Sequence, residues 1–241
     1  SVLEQFKSLI EFELDKKLIK FNNIVVTSTP RRIVLLLEGL VDYAEDKTIV
    51  RKGPKANSAF LDGSPTNAAL GFANSLGIDV GELEIKNTEK GDFVFGKKIE
   101  KGQSTKISLS SIVPKVMKSL QGPRFMKWGA GNTKFSRPIR WITSIYNDDI
   151  LDFVFDECDP NIQISNKSKS HRLINKVIEV QNPDNFFELM NQNRVLVERQ
   201  ERKEKIESLI NQASKLLNLK PDLSKGLLDE LTDLVEWPEL I

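Results

Sequence analysis

Apolar side chains recur along this chain with two periods, and the changes of period divide it into elements. Val2, Leu3, Phe6, Leu9, Ile10, Leu14 and Leu18 recur at helical spacing, which predicts an amphipathic helix over residues 2–19. Residues 24–27 and 32–37 are short runs of branched apolar side chains and predict two strands. Thr29-Pro30-Arg31-Arg32 stands between them. Pro30 has no N–H to give a ladder and marks a break or an edge, and the two arginines are expected as surface charge at a strand start. Residues 42–64 follow neither period and are expected to be irregular, with turns at Gly53-Pro54 and Asp62-Gly63-Ser64-Pro65. Ser64 is the expected N-cap and Pro65 the first residue of a helix through Ala68, Ala69, Phe72 and Ala73 to Leu76, closed by Gly77. Residues 83–87 and 92–99 flank Thr88-Glu89-Lys90-Gly91 and predict a hairpin. Another helix opens at Gln103-Ser104 and runs to about Leu120, with Pro114 expected to kink or split it.

In the second half, residues 124–128 predict a short strand and 129–132 a turn. Residues 137–146 predict a strand with Ile139, Trp141, Thr143 and Ile145 on one face and Arg140 and Ile142 on the other. That alternation places Trp141 inside. A turn at 146–149 leads to a strand over 150–155, and further short strands follow over 161–180 around Lys169-Ser170-His171-Arg172. Residues 183–192 predict a helix with Phe186, Phe187 and Met190 on its apolar face; Val195-Leu196-Val197 is a short strand or a link. A long helix over 198–219 is expected to turn Ile206, Leu209, Ile210, Ala213, Leu216 and Leu217 inward. Pro221-Asp222 breaks it, and a last helix carrying Leu227, Leu228, Leu231 and Leu234 stops at Trp237-Pro238. The class is α+β: a mixed or antiparallel sheet core with packed helices and a helical C-terminal third. The expected division is an α+β domain over 1–195 and a helical segment over 196–241.

Composition narrows the class without naming a chemistry. At 39% hydrophobic and 29% charged, the 241 residues suit an ordinary soluble chain. No apolar run approaches the roughly 20 residues of a membrane helix. The amphipathic, acidic N-terminus is no signal peptide, and without an initiator Met the chain is expected to be a fragment or a processed form. Cys158 is the single cysteine and His171 the single histidine, which excludes an internal disulfide, fits a reducing cytoplasm and leaves no set of ligands for a structural zinc ion.

Charge changes the picture more. The chain carries 35 basic and 34 acidic residues, yet residues 101–147 hold no Asp or Glu and nine Lys or Arg. Within that run Arg124, Lys127, Lys134, Arg137 and Arg140 interleave with Phe125, Trp128, Phe135 and Trp141. Positive charge held in one segment among aromatics suits a polyanion; a buried strand flanked by solvated lysines is the competing explanation. Arg137 and Arg140 lie three apart, so on a straight strand they face opposite sides, and both reach one ligand only if Pro138 bends the chain. Asp148, Asp149, Asp152, Asp156, Glu157 and Asp159 follow directly and are expected to balance the basic run within the fold.

Catalytic templates mostly fail. Gly129-Ala130-Gly131 lacks the third glycine and the preceding strand of a dinucleotide fingerprint, and neither a phosphate-binding GxxxxGK[ST] loop nor a GxSxG elbow occurs. A Cys158 thiolate is disfavoured by Asp156, Glu157 and Asp159. His171 has Lys169 and Arg172 beside it and no obvious orienting carboxylate, so it is expected as a polar loop or strand residue or an RNA-facing donor.

Several segments in series resemble the β subunit of the bacterial heterotetrameric glycyl-tRNA synthetase. They are Thr29-Pro30-Arg31-Arg32; Lys52-Gly53-Pro54 with Ala59-Phe60; Gly63-Ser64-Pro65-Thr66-Asn67-Ala68-Ala69; Gly71-Phe72-Ala73; Glu89-Lys90-Gly91-Asp92-Phe93; Arg124-Phe125-Met126-Lys127-Trp128-Gly129; Phe135-Ser136-Arg137-Pro138-Ile139-Arg140-Trp141; His171-Arg172; Glu201-Arg202-Lys203; and Leu228-Asp229-Glu230 with Val235-Glu236-Trp237-Pro238. The family's usual first segment and its continuation past Trp237-Pro238 are absent, so the chain looks like an N-terminal portion without the anticodon-binding part. The resemblance implies ATP-dependent attachment of glycine to its tRNA by an α2β2 enzyme in the cytoplasm. It implies that ATP and Mg are used by the α subunit and none is bound by this portion, and that tRNA-Gly and the α subunit are its partners. Part of the subunit is similar to the B3/B4 editing-type module of phenylalanyl-tRNA synthetases, but no residue here matches an editing site by spacing. The expected role is non-catalytic: tRNA binding and assembly, with Arg124, Lys127, Lys134, Arg137, Arg140, His171 and Arg172 as RNA-binding candidates. The alternatives are a scaffold that docks the α subunit and an editing-like hydrolase.

Overall fold

Ser1 starts the first helix, Val2–Lys16. Its hydroxyl accepts the Glu4 N–H while the Glu4 carboxylate accepts from the Ser1 main-chain nitrogen, a closed capping box. The chain is described by a computed structural model over residues 1–155, 158–221 and 225–240. Asp156 and Glu157 of the expected acidic cluster, and Asp222, lie outside the described residues. Two compact units form: residues 1–42 with 104–241, and residues 43–103. Residues 196–241, expected as a helical segment, belong to the same unit as the first helix.

In the larger unit, Phe6, Ile10 and Leu14 are buried along one stripe of the first helix. The helix packs against Thr105–Ser119, whose Leu109, Ile112 and Val116 are also buried. Lys115 reaches Glu13 across this contact at 2.7 Å. Thr105–Ser119 continues through Pro114 as one helix. The strands Asn23–Thr29 and Arg32–Glu38 pair antiparallel with Thr29 opposite Arg32, so Pro30 sits in the turn. Behind this hairpin a core of Ile178, Met190, Val195 and Val197 takes Val34, Phe186, Phe187 and Leu189. The segment 195–197 is thus a buried link rather than a strand.

The predicted strand over 137–146 is mostly not one. Only Ile142–Thr143 and Ile145–Tyr146 are strands, the first pairing parallel with Ile164–Ser165 and the second antiparallel with Asp149–Ile150. The buried side chain is Ile142, on the face opposite to the one expected, and Trp141 is half-buried. Residues 151–155 keep the strand-like alternation, with Leu151, Phe153 and Phe155 buried and Val154 exposed, but pair with no strand among the described residues. Periodicity records which side faces the core; a ladder also needs a neighbour at the right spacing. Near the end, Arg199–Leu217 buries Arg202 and Ile206, whereas Leu216 and Leu217, expected inside, are 86% and 66% exposed. Lys225–Leu234 is the last helix.

The smaller unit is a three-stranded antiparallel sheet. Gly91–Glu100 lies at its centre between Lys47–Lys55 and Glu84–Thr88. Lys47–Lys55 corrects the expectation of irregular structure: its lysines and arginine hide the strand pattern, and Pro54 is tolerated because the strand is an edge and its register shifts between Lys52 and Lys55. The helix is Asn67–Leu76; Thr66 rather than Ser64 stands at its N-cap position, with its hydroxyl turned to the Ser58 and Ala59 carbonyls, and Ser64–Pro65 instead pairs with Phe60–Leu61. Gly77 ends it in the left-handed conformation, φ 71°. Ala59, Ala69 and Val94 form the core under Phe60, Phe72, Val80 and Leu83.

The ends of this unit are pinned together. Ala44 N–H donates to the Gln103 carbonyl at 3.0 Å, and Asp46 accepts the Gly102 N–H at 2.9 Å and pairs with Lys101 at 2.8 Å. The hydrogen bond from Lys101 holds the Asp46 carboxyl below its ordinary pKa. A Cβ on Gly102 would overlap the Ala44 carbonyl oxygen. Gly102→Ala is expected to destabilise this closure by about 1–3 kcal/mol, the usual cost of overpacking. Urea unfolding checks it, and a change below about 0.5 kcal/mol, the ordinary surface range, would show that the backbone simply moves aside.

Candidate nucleic-acid interface

Met126–Lys127 pairs antiparallel with Lys134–Phe135, Met126 opposite Phe135 and Lys127 opposite Lys134. Gly129 turns the intervening loop at φ 60°, and Asp159 accepts the next N–H, that of Ala130, at 2.8 Å. Trp128 Nε1 donates to the Phe135 carbonyl at 3.0 Å, and the Phe125 and Phe135 rings lie 4.8 Å apart. These contacts absorb the aromatics of the stretch into local packing. The hollow among Trp128, Thr133, Phe135, Pro138, Ile139, Cys158 and Asp159 measures about 10 Å³, the lower limit for one water. It is too small for a substrate.

The cations of the stretch behave differently. Arg124, Lys127, Lys134, Arg137 and Arg140 are all exposed. Elsewhere in the basic run, Lys101 pairs with Asp46, Lys106 with Asp149 and Lys115 with Glu13. The five from 124 to 140 make no ion pair among the described residues. Among the described residues Lys127 reaches only the Asn132 side-chain carbonyl, at 3.3 Å. Directly opposed like charges, such as Lys127 and Lys134, weaken a strand pair, and a bound anion removes that penalty. Arg137 and Arg140 lie in a segment without strand structure, so alternation does not force them to opposite faces.

His171 and Arg172 lie in the loop between Lys167–Lys169 and Val177–Glu179. Arg172 is exposed, whereas His171 is half-buried. The His171 N–H donates to the Asn193 carbonyl at 3.1 Å, its own carbonyl accepts the N–H groups of Ile174 and Asn175, and Nδ1 accepts the Leu173 N–H at 3.5 Å. Those bonds shape a turn. Trp141 connects this loop with the basic stretch: it follows Arg140, and Lys169 Nζ lies 5.2 Å from its ring centre. The Arg31 and Arg32 guanidinium carbons each lie 5.7 Å from the same ring, within the range of cation–π attraction.

Arg31 and Arg32 are not the loose surface charges expected from sequence. Glu236, 4% exposed, accepts Arg32 Nε at 3.0 Å, Arg31 Nη1 at 3.2 Å and the Thr29 hydroxyl at 2.6 Å. The arginines also donate to the Ser170 and Lys169 carbonyls. Burial lowers the Arg32 guanidinium pKa, and Glu236 works against that shift. Arg202, 1% exposed, donates to the carbonyls of Leu196, Val197, Ser28 and Thr232. Lys203 and Arg199 hold Asp229, and Arg199 also takes Asp233. The hydrogen bond to Asp233 leads in raising the Arg199 pKa above its ordinary value. Motifs far apart in the sequence thus meet in a buried node: Thr29-Pro30-Arg31-Arg32 at Glu236, and Glu201-Arg202-Lys203 at Ser28, Thr232 and Asp229. Sequence inspection missed Glu236 as its centre; the signal available was a Glu between apolar residues just before Trp237-Pro238. Among the described residues no group of three or more His, Cys, Asp or Glu side chains is placed to hold a metal ion, and no helix is long and apolar enough to cross a membrane.

A family model described as glycyl-tRNA synthetase beta subunit matches residues 1–241. The chain belongs to this family. Similar proteins include the glycine–tRNA ligase beta subunits of Trichodesmium erythraeum, 37% identical over 240 residues, and of Acaryochloris marina, 35% identical over 242. The same subunit of Clostridioides difficile is 34% identical over 240 residues. These alignments cover 99%, 100% and 99% of the chain but only 33%, 34% and 34% of the three relatives, so the chain spans about a third of their length. In this chain the buried node ties Thr29, Arg31 and Arg32 directly to Glu236, and Arg202 fastens the Ser28 and Thr232 carbonyls beside them.

Proposed function

We propose that this chain is a tRNA-binding and assembly portion of a glycine–tRNA ligase β subunit, acting in the ATP-dependent attachment of glycine to tRNA-Gly in the cytoplasm, and that it carries out no chemistry itself. In this reading ATP and Mg are used by the α subunit, which is the chain's protein partner. The observation that carries the RNA role is the contrast among cations. Arg31, Arg32 and Arg199 are spent on carboxylates and Arg202 on buried carbonyls, whereas Arg124, Lys127, Lys134, Arg137 and Arg140 are exposed and free for phosphates. His171 and Arg172 extend the same reading, with Arg172 as the phosphate contact and His171 as the residue that holds its turn.

The test is Arg137→Ala with Arg140→Ala in the assembled α2β2 enzyme. Two lost phosphate contacts are expected to weaken tRNA binding at least tenfold near 0.1 M salt and to reduce the log–log salt slope by about 2. An unchanged affinity and slope would refute the RNA role of this stretch. Failed assembly with unchanged RNA affinity in the isolated subunit would assign the arginines to docking the α subunit instead.

A further inference from the structure

The open face of the sheet in residues 43–103 combines aromatic rings with unopposed positive charge, a combination the basic stretch does not have. The central strand Gly91–Glu100 is closed on one side. Val94 is fully buried there, and a Cβ on Gly96 would overlap Leu76 of the helix Asn67–Leu76. Phe93 and Phe95 alternate with these residues and therefore point to the other side, where both are half-buried. Register sets three rows across that side: Lys52, Phe95 and Glu84; Lys55, Phe93 and Lys86; and Val50 with Lys97. The three rows carry four lysines and one carboxylate, and Glu84 is taken by Lys97 at 2.6 Å and Lys86 at 3.2 Å. Lys52 and Lys55 have no ion pair among the described residues. Lys52 Nζ instead sits 3.4 Å from the Phe93 ring centre, and Lys86 Nζ 5.7 Å from that of Phe95.

We propose that this face is a stacking platform for unpaired RNA nucleotides, a contact separate from the basic stretch. The proposal rests on the RNA-binding reading above. Phe93 and Phe95 stand about 6.8 Å apart along the strand, two residues at roughly 3.4 Å each, and offer two bases a ring apiece. A base that stacks on Phe93 takes the position held by the Lys52 ammonium, which then swings on its four-carbon stem to the phosphate that base carries. The exchange trades one cation–π contact for a stack and a phosphate contact. Charge selects the class of ligand. An apolar peptide laid on this face would bury lysines without partners, whereas a polyanion neutralises them. Ring access selects single strands, because bases inside a duplex present no face for stacking. Glu84 is the one side chain in these rows able to accept from a base edge, and it is already engaged, so the platform tolerates any sequence.

The test uses the full-length subunit assembled with its partner and two fluorescein-labelled probes: an unstructured 12-nucleotide RNA and a 12-base-pair RNA duplex. Phe93→Leu with Phe95→Leu keeps apolar bulk and removes the π faces. It is expected to weaken binding of the single strand at least tenfold, with the salt slope and duplex binding unchanged. Lys52→Gln with Lys55→Gln is expected to lower the salt slope by about 1 to 2 instead. Single-strand affinity within twofold of the unaltered protein in the phenylalanine variant overturns the platform. If the Arg137/Arg140 variant then loses tRNA while the phenylalanine variant does not, the platform fails and the basic stretch stands. The reverse pattern keeps the platform and removes the role of that stretch; no RNA bound by the unaltered protein removes both. If the leucine variant melts early, ultraviolet cross-linking of the single strand to the unaltered protein decides. Adducts on residues 91–97 support the platform, and adducts confined to other segments overturn it.

Discussion

Glu236→Ala is expected to lower the stability of this chain by about 3–5 kcal/mol, the cost of breaking a buried ion pair by removing one partner. Glu236 and the Arg32 side chain are 4% and 5% exposed, so water cannot replace the lost carboxylate at Arg32. One Arg32 nitrogen, Nη2, already lacks a hydrogen-bond partner among the described residues, and the alanine variant strands Nε as well. The Thr29 hydroxyl loses its acceptor at the same time. Urea unfolding followed by tryptophan fluorescence is the measurement, since Trp141 lies under the two arginines and Trp237 is the next residue. Glu239→Ala is the control: its partner Arg194 is 3.8 Å away, both side chains are more than half exposed, and such pairs contribute about 0–1 kcal/mol. A Glu236→Ala effect no larger than the control would mean that the arginines reach solvent and that the node is not a unit.

Arg202→Met is expected to cost a similar amount, about 3–5 kcal/mol, for a different reason. Removing this side chain leaves several buried acceptors unsatisfied, each worth about 1–3 kcal/mol and not fully additive. Among the described residues no carboxylate bonds Arg202; its partners are main-chain carbonyls of four residues, with Leu196, Val197 and Ser28 at 2.7, 2.8 and 2.8 Å and Thr232 at 3.3 Å. Those carbonyls belong to the first hairpin, the 195–197 link and the last helix, so one guanidinium fastens three parts of the chain. Arg202→Lys is expected to recover only part of the loss, because a single ammonium cannot span the fork. Calorimetric melting of the two variants checks the order: methionine lowest, lysine between, unaltered protein highest. Lysine at the level of the unaltered protein would mean that charge alone suffices. Since the Glu236 carbonyl accepts the Leu196 N–H at 2.9 Å, next to an Arg202 contact, the Glu236→Ala/Arg202→Met double variant is expected to lose less than the sum.

Much of the local structure was legible from neighbours a few residues apart. The first helix with its apolar stripe, the two strands on either side of Pro30, the 84–100 hairpin and the Gly77 cap all follow from local chemistry, whereas the pairing of those two strands came only with the structure. Lys47–Lys55 was not legible, because an edge strand dense in lysine carries no alternation to read. The strand over 137–146 was misread because Ile139, Trp141, Thr143 and Ile145 alternate, yet the segment finds neighbours only for its last part. Leu216 and Leu217 have helical spacing with Ile206 and Leu209, but the helix runs past the body it packs on, and spacing cannot tell where that body ends.

The sequence by itself determined the α+β class, the family and the concentration of positive charge between residues 101 and 147, since each depends on residue type and order alone. Only the tertiary structure decided which cations are spent and which are available. Arg32 and Glu236 are 204 residues apart, and Arg202 and Ser28 are 174 apart; no local period encodes such pairs. Burial turns those arginines into structural ties, whereas exposure leaves Arg137 and Arg140 as charges that water and phosphate can reach.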